Sequence, residues 1–401
     1  MLVTRTEKHH IKKVNLVYSF IDNLCFQSKN LYNYANYILR QKFIEDKEYI
    51  SYPKLFQLCK TCDPYKDLGS NIGQTTLRIL DKSWKSFLVS IKDYSKNSSK
   101  YLGKPKIPKY LKKDGRYVVG LDNNKVGVKD GYIFFKWKVC KFMNNHFKTN
   151  VSNTAKIMQC RFVPKGSGYN LELVYQIEIP DCSEEVNRIV GIDLGVENFV
   201  TMVNNIGETP IIVKGGVLKS INQYYNKKKA TLQSELKTHH DLNWSNQLQK
   251  LTDKRFNKIE YEMHCISRKV VNWCVSHRID TLIVGRNKGW KQENESMQNF
   301  TYIPFEIFEN MLAYKCENVG IKTYFINESY TSGTSFLDGE KPCKENYNKD
   351  RRVYRGLFVS NKGVKINADV NGAYQIINKV VPDAFAKGIE GVGLHPIQLT
   401  V

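Results

Sequence analysis

The chain of 401 residues contains no apolar stretch near the ~18 residues a helix needs to cross a bilayer, so no membrane span is expected. Its first residues, MLVTRTEKHHIKKVNLVY, carry basic side chains without an apolar core, which argues against a secretory signal. Cysteine is sparse: ten residues are spread from Cys25 to Cys343, too thinly for a disulfide scaffold. Free thiols in a reducing cytoplasm are the simplest reading. A single CxxC, Cys59-Lys60-Thr61-Cys62, has no second pair and reads as structural or incidental. No internal repeat of fixed period is present. Acidic residues are in deficit: 39 Asp+Glu face 61 Lys+Arg, a net charge of +22.

Enough apolar material remains to bury cores. Hydrophobic residues are 41% of the chain and charged residues 25%, which excludes disorder throughout. At roughly 100–200 residues per domain, two or three domains are expected. The positive surplus repels itself unless a polyanion is the usual partner. Nucleic acid fits, because each neutralised phosphate releases a counterion. An anionic membrane is the rival, but no lipidation motif or basic amphipathic anchor supports it.

Apolar spacing predicts a helix over 14–46, with Leu24, Leu31 and Ile38 every seven residues. It predicts a second over 74–94, where Leu77, Leu80, Trp84, Phe87, Leu88 and Ile91 form the stripe. Lys82 and Lys85 fall off that stripe, on a face that suits either a duplex backbone or solvent. Residues 95–115 read as a linker or extended basic arm carrying Lys104, Lys106, Lys109, Lys112 and Lys113. Short β-like runs follow, YVVGLD, VGVKDGYIFFKW, KIMQCRFV and YNLELVYQIEI, separated by glycine turns. They suggest a small antiparallel barrel or sandwich ending near Pro180. From Arg188 strands alternate with helices, which predicts an α/β layer with a mostly parallel sheet. Its helix over PFEIFENMLAYKCENVG is expected to carry Pro304 in the first turn and to stop at Gly320.

Three acids stand where chemistry is expected. Asp193 ends the buried run Ile189-Val190-Gly191-Ile192-Asp193, where a carboxylate must be paired or bind a metal. Asp369 lies in NADVNGA, with Asn367 as predicted N-cap and small neighbours that let the helix start approach a sheet. Holding two divalent ions at ~4 Å for in-line phosphodiester hydrolysis needs a third acid, and magnesium favours carboxylates. The strand DTLIVG ends at Gly285 without one. Glu328, at the end of IKTYFINE, has the longer arm that could reach from one strand further out. For each acid the plain alternative is a strand-end or capping residue.

The motifs IVGIDLGVENFVT, IVGRNKGWKQ, INESYTSGTSFLD, YRGLF and INADVNGAYQIINKV resemble the TnpB proteins of insertion sequences, relatives of the type V CRISPR effectors. LCFQSKNLYNYANYILRQKF, LDKSWKSF and GKPKIPKY extend the resemblance over nearly the whole chain. It implies a multidomain architecture of α/β, all-β and helical parts. An RNase H-like (RuvC) nuclease domain would span 186–329 and 366–401, and a β-barrel wedge domain 1–13 and 101–185. A helical recognition domain would occupy 14–100, and a target-nucleic-acid-binding insertion 330–365. It implies an RNA-guided, Mg²⁺-dependent DNA endonuclease using two ions, with a guide RNA, target double-stranded DNA bearing a flanking motif, and no membrane partner. A prokaryotic, nucleoid-associated location follows. Asp193 matches the first catalytic acid and Asp369 the third.

Two departures accompany the resemblance. The second acid usually ends the strand that here carries Gly285, which makes Glu328 a relocated replacement. The zinc ribbon usually has two CxxC pairs, whereas only Cys343 lies between Glu328 and Asp369, so zinc is not expected. Arg286, Lys288, Trp290 and Lys291 are expected at the cleft edge, Trp290 stacking on a base or packing in a core. Arg351, Arg352 and Arg355 are expected to guide single-stranded DNA. A nuclease-inactive RNA-guided repressor and a protein-only transposase or resolvase remain alternative readings, and the residues say nothing of oligomeric state.

Overall fold

The computed structural model describes every residue except 183, 287–302, 387, 389–391 and 401, and of Val139 and His240 only the backbone. Lys288, Trp290 and Lys291 therefore lie outside the described residues. The chain divides into two compact units, Leu2–Glu178 and Ile179–Val401, the latter joined by Met1.

The first unit opens with strand β1 (Leu2–Ile11), then helices α1 (Tyr18–Asp46), α2 (Tyr52–Cys59) and α3 (Asp63–Tyr94). Strands β2 (Val119–Asp122), β3 (Val126–Lys129), β4 (Tyr132–Phe135), β5 (Lys156–Lys165) and β6 (Gly168–Glu178) follow. The expected second helix is longer than its stripe, because Gly69 (φ 72°) kinks α3 and admits an extra N-terminal segment. Leu24, Leu31 and Leu39 of α1 and Leu77, Leu80 and Trp84 of α3 are buried. They belong to one core with Phe162, Leu171 and Leu173 of the sheet, so helices and strands form a single unit. Trp84 donates its indole N–H to Asn36 Oδ1 at 2.9 Å, which satisfies both buried polar groups. The sheet runs β1-β6-β5-β2, all antiparallel. Its edge β1 was not foreseen. Its inward face, Val3-Arg5-Glu7-His9-Ile11, mixes charges with apolar groups and hides the period-two signal. β3 and β4 form a hairpin turned by Asp130 and Gly131, at φ 54° and 74°.

The basic arm is no loose linker. Asn33 Nδ2 donates to Leu111 O at 3.0 Å, and Asn36 Nδ2 and Arg40 Nη1 donate to Pro108 O at 3.1 and 2.7 Å. Lys29 Nζ donates to Lys113 O at 2.6 Å. Polar residues of α1 thus fix the arm's backbone, while Lys104, Lys106, Lys109, Lys112 and Lys113 stay at least partly exposed.

In the second unit, strands β7 (Ile189–Leu194), β8 (Asn198–Asn204) and β9 (Ile211–Lys214) lead to helices α4 (Gly216–His240) and α5 (Asn246–Ser276). Strand β10 (Thr281–Arg286), helix α6 (Phe305–Glu317) and strand β11 (Lys322–Asn327) follow. The small hairpin β12 (Leu357–Val359) and β13 (Lys365–Asn367), helix α7 (Ala368–Val380) and strand β14 (Ile397–Gln398) complete it. The six-stranded order is β11-β10-β7-β8-β9-β14. The sheet is mixed with parallel pairings in the majority: β10 with β7, β10 with β11 and β14 with β9 are parallel, while β8 pairs antiparallel with β7 and β9. Gly195 makes the tight return, since a Cβ there would lie 2.7 Å from Asn198 O. Pro304 is the N-cap of α6 and not within its first turn. Gly320 stops the segment in the left-handed region, at φ 75°.

Strand alternation decides which face each residue meets. Val190, Ile192, Leu194, Leu282 and Val284 pack with α5 and α6. Ile189 and Ile283 pack with Val370, Ala373, Tyr374, Ile376 and Ile377 of α7 on the other face. By parity Asp193, Gly285 and Glu328 share that α7 face.

Candidate active site

Asp193 stands near the end of β7, four residues beyond Ile189 on the side covered by α7. Two glycines let the layers close. A Cβ on Gly191 would lie 2.6 Å from Ile377 Cγ1 and 2.7 Å from Ala373 O. A Cβ on Gly372 would lie 3.3 Å from Asp193 Oδ2, so the glycine in α7 makes room for the carboxylate. Asp193 is half-buried, opening onto a cleft of about 510 Å³ that Glu328, Asp369, Arg352 and Arg355 also line. Its carboxyl is held well above the ordinary aspartate range. Burial contributes most, then the charges of Glu328 and Asp369, with Arg352 opposing.

Asp369 is placed as expected. Asn367 caps α7, its Oδ1 accepting from the N–H of Asp369 at 3.0 Å and of Val370 at 3.2 Å. Asp369 Oδ1 accepts from Arg352 Nη2 at 3.0 Å, and Oδ2 from Asn198 Nδ2 at 2.7 Å. Lys214 Nζ donates to Asn198 Oδ1 at 2.8 Å and orients that amide. The sequence reading missed Asn198 and Lys214; the only signal is the tight turn that returns Asn198 beside the strand end.

Glu328 follows β11, which pairs in parallel with β10 so that Gly285 faces Ile326. Two residues further on, its side chain folds back. A Cβ on Gly285 would lie 3.2 Å from Glu328 Oε2 and 2.5 Å from Ile376 Cδ1. The glutamate carboxylate thus stands against the place where a side chain at 285 would begin. Lys379 Nζ donates to Asn327 O at 2.9 Å and Ser329 O at 3.0 Å, which fixes the backbone on both sides of Glu328. Tyr330, also lining the cleft, holds φ 70°, a conformation that bulky residues rarely adopt.

The segment between Glu328 and α7 is anchored from beneath. Asn371, fully buried, donates to Thr334 O at 2.8 Å and accepts from Phe336 N at 3.0 Å. Gln375 Nε2 donates to Glu340 O at 2.9 Å. Neither residue was singled out in the sequence, since buried amides inside an apolar helix face carry no local signature.

The basic candidates divide. Arg352 and Arg355 line the cleft, and Arg355 lies 3.9 Å from Glu197. Arg351 turns to Glu340 at 2.6 Å. Arg286 pairs through its Nε and Nη2 with the buried Glu309 and lies over the Phe325 ring. In the first unit Lys82 is exposed and Lys85 pairs with Asp81 at 2.8 Å.

The donor set fits a hard divalent cation: three carboxylates line one cleft, where burial and like charge hold the Asp193 carboxyl above its ordinary range. Among the described residues no group of three His, Cys, Asp or Glu side chains is already drawn onto one ion-sized point. Asp369 is instead engaged by Arg352 and Asn198.

Residues 172–291 match the OrfB_IS605 family, described as a probable transposase, and residues 305–376 match the Cas12f1-like TNB domain. The chain is 24% identical over 398 residues to a TnpB-like protein, ORF457, of Acidianus two-tailed virus, covering 88% of this chain and 82% of that one. It is 24% identical over 233 residues to the CRISPR-associated endodeoxyribonuclease Cas12f1 of Sulfoacidibacillus thermotolerans, 53% of this chain and 52% of that protein. A solved complex of Cas12f1 with sgRNA and target DNA superposes with a TM-score of 0.56 at 15% identity, covering 90% of this chain and 82% of that one. At that identity the likeness speaks for the fold. The chain is a relative of the TnpB-like and Cas12f1 proteins.

Proposed function

We propose that this protein is an RNA-guided DNA endonuclease of the TnpB kind, cutting target DNA beside a short flanking motif, with Asp193, Glu328 and Asp369 as its catalytic, Mg²⁺-holding acids. The observation that carries this reading is Glu328 Oε2, 3.2 Å from where a Cβ on Gly285 would stand. The acid missing from β10 is made good by the neighbouring strand. The relatives support the rest: one is named an endodeoxyribonuclease, and the superposed one is a complex with sgRNA and target DNA. The same reading makes the six-stranded unit the RNase H-like (RuvC) domain. It assigns 14–100 to guide and target recognition, the strands of the first unit to a wedge barrel, and 330–365 to target-strand handling.

When bound, two Mg²⁺ ions supply Lewis acidity and an activated water for phosphodiester hydrolysis. The chain's own residues prepare the site. Burial and like charge on Asp193 make the cleft favour a cation. Asn198, oriented by Lys214, holds one oxygen of Asp369 in place. Arg352 and Arg355 bring positive charge to the cleft wall, where a phosphate of the scissile strand would meet it. Base pairing with the guide supplies sequence choice.

The test is plasmid cleavage by the protein purified with its copurifying RNA. Glu328→Gln is expected to lower cutting by at least ~100-fold, the scale of losing one electrostatic group at a reacting centre, with guide-dependent DNA binding intact. Near-normal cutting by Glu328→Gln would remove Glu328 from the mechanism. Wild-type protein that binds its target and never cuts it, with Mg²⁺ present, would leave the repressor reading instead.

A further inference from the structure

A second cleft, of about 310 Å³, lies on the α4–α5 pair. Its walls follow from helical spacing. Ile221 and Tyr225 lie one turn apart on α4, as do Ser220 and Tyr224; Leu251, Lys254, Arg255 and Lys258 stand at i, i+3, i+4 and i+7 on α5. The lining carries three positive charges and no acid.

The inner wall is rigid. Tyr225 is buried, and its hydroxyl lies 3.1 Å from Thr252 Oγ1. Arg255 stacks over the Tyr225 ring at 5.1 Å and donates its Nε to Asn222 Oδ1 at 2.8 Å. The outer wall is open: Tyr224 is 57% exposed, and Lys254 stands at the rim. A flat aromatic ring beside cationic side chains is the chemistry that takes an unpaired nucleobase with its flanking phosphates. A cleft of this size holds one such unit.

Position selects the occupant. Lys219, in the first turn of α4, pairs with Glu197 at 2.5 Å, and Glu197 lines the cleft of the three acids. Ser220, the next residue, already lines the α4–α5 cleft, with Tyr224 one turn further on the same face. A strand leaving the acids past Lys219 would meet the α4–α5 cleft at Ser220.

We infer that the α4–α5 cleft, built from Tyr224, Tyr225, Lys254, Arg255 and Lys258, binds an unpaired nucleotide of the DNA strand presented to the acids. This rests on the nuclease reading for the strand's path, while the binding itself is tested without cutting. Full-length protein is mixed with a short single-stranded DNA carrying 5-iododeoxyuridine, irradiated, and the adducted peptide mapped. The adduct is expected on the peptide bearing Tyr224 and Tyr225. Tyr224→Ala is expected to weaken binding of that DNA about 5- to 150-fold, with Tyr224→Phe close to wild type. Lys254→Ala with Lys258→Ala should lessen the salt slope by about 0.7 for each phosphate left without its lysine.

Unchanged binding by Tyr224→Ala, equal loss in Tyr224→Phe, or adducts confined to other peptides would overturn the inference. So would a defect seen only with RNA of the same sequence, which would make guide RNA the occupant. DNA held here and never cut would sink the nuclease reading and leave the cleft standing. Cutting abolished by Glu328→Gln, with no effect of Tyr224→Ala on binding, would do the reverse.

Discussion

Asp193 shows how a single residue is set against the fold that contains it. Its carboxyl is raised above the ordinary value of 3.8 by burial and by two neighbouring acids. A carboxyl raised in the folded state favours folding when protonated. Its contribution is therefore fully present below 3.8 and is lost as pH rises through the raised folded value. Asp193→Asn should consequently raise the melting temperature in metal-free buffer at neutral pH. A gain of ~1 kcal/mol, a few degrees for a unit of this size, is the expected scale. The gain should shrink towards acid pH, and added Mg²⁺ should stabilise wild type but not the variant. Thermal melts across pH, with and without the ion, read both effects. Equal melting of the two proteins in metal-free buffer would show that the acids do not repel as described. The position of Asp193 was legible because a lone carboxylate in a buried strand demands an explanation. The role of Gly285 was legible only as a missing acid; that its bareness admits both Ile376 and Glu328 needed the packing of α7.

Among the elements, α5 and α6 are joined by a buried amine. Lys315 is 3% exposed and donates to His264 O at 2.9 Å and Ser267 Oγ at 2.6 Å. Burial, with the charge of Arg268, pushes its amine down to about 8. A base lowered on folding costs stability while it is charged in both states. That cost applies below about 8 and is relieved as pH rises towards the unfolded value of 10.5. Lys315→Met, similar in volume and uncharged, should be more stable than wild type at pH 7, by ~1–2 kcal/mol. The difference should narrow by pH 9.5, and paired denaturant titrations at the two pH values measure it. A constant difference would mean that packing, not charge, separates the two proteins. The α6 stripe of Phe308, Leu312 and Cys316 was readable from spacing, and all three are buried. Lys315 was not, because a lysine between stripe residues reads as solvent-facing until a second helix covers it.

For the whole molecule the charge of +22 dominates. Lys104, Lys106 and Lys109 project from an arm whose backbone is fastened to α1, so their charges are displayed without the entropy cost of a loose tail. The three together replaced by alanine should weaken nucleic-acid binding across sequences. The slope of log affinity against log salt should fall by up to about 2.7 for duplex binding, at 0.9 per phosphate. Titrations at several salt concentrations provide the slope, and an unchanged slope would remove the arm from the binding surface. Composition made a polyanion partner legible at this scale. Where each arginine goes was not: Arg286 pairs with Glu309 and Arg351 with Glu340, while Arg352 and Arg355 line the acid cleft beside Asp369 and Glu197.

Local physics alone determined α1 and the apolar stripe of α3, the buried strands that carry Asp193 and Gly285, and the capped helix start at Asp369. Each depends on spacing, turn chemistry or a cap within a few residues. Tertiary structure decided the mixed pairing of the sheet, the long edge strand β1, the fastening of the basic arm and the reach of Glu328 towards Gly285. Those depend on which surfaces meet across tens to hundreds of residues, and the meeting of distant segments leaves no periodic trace in either one.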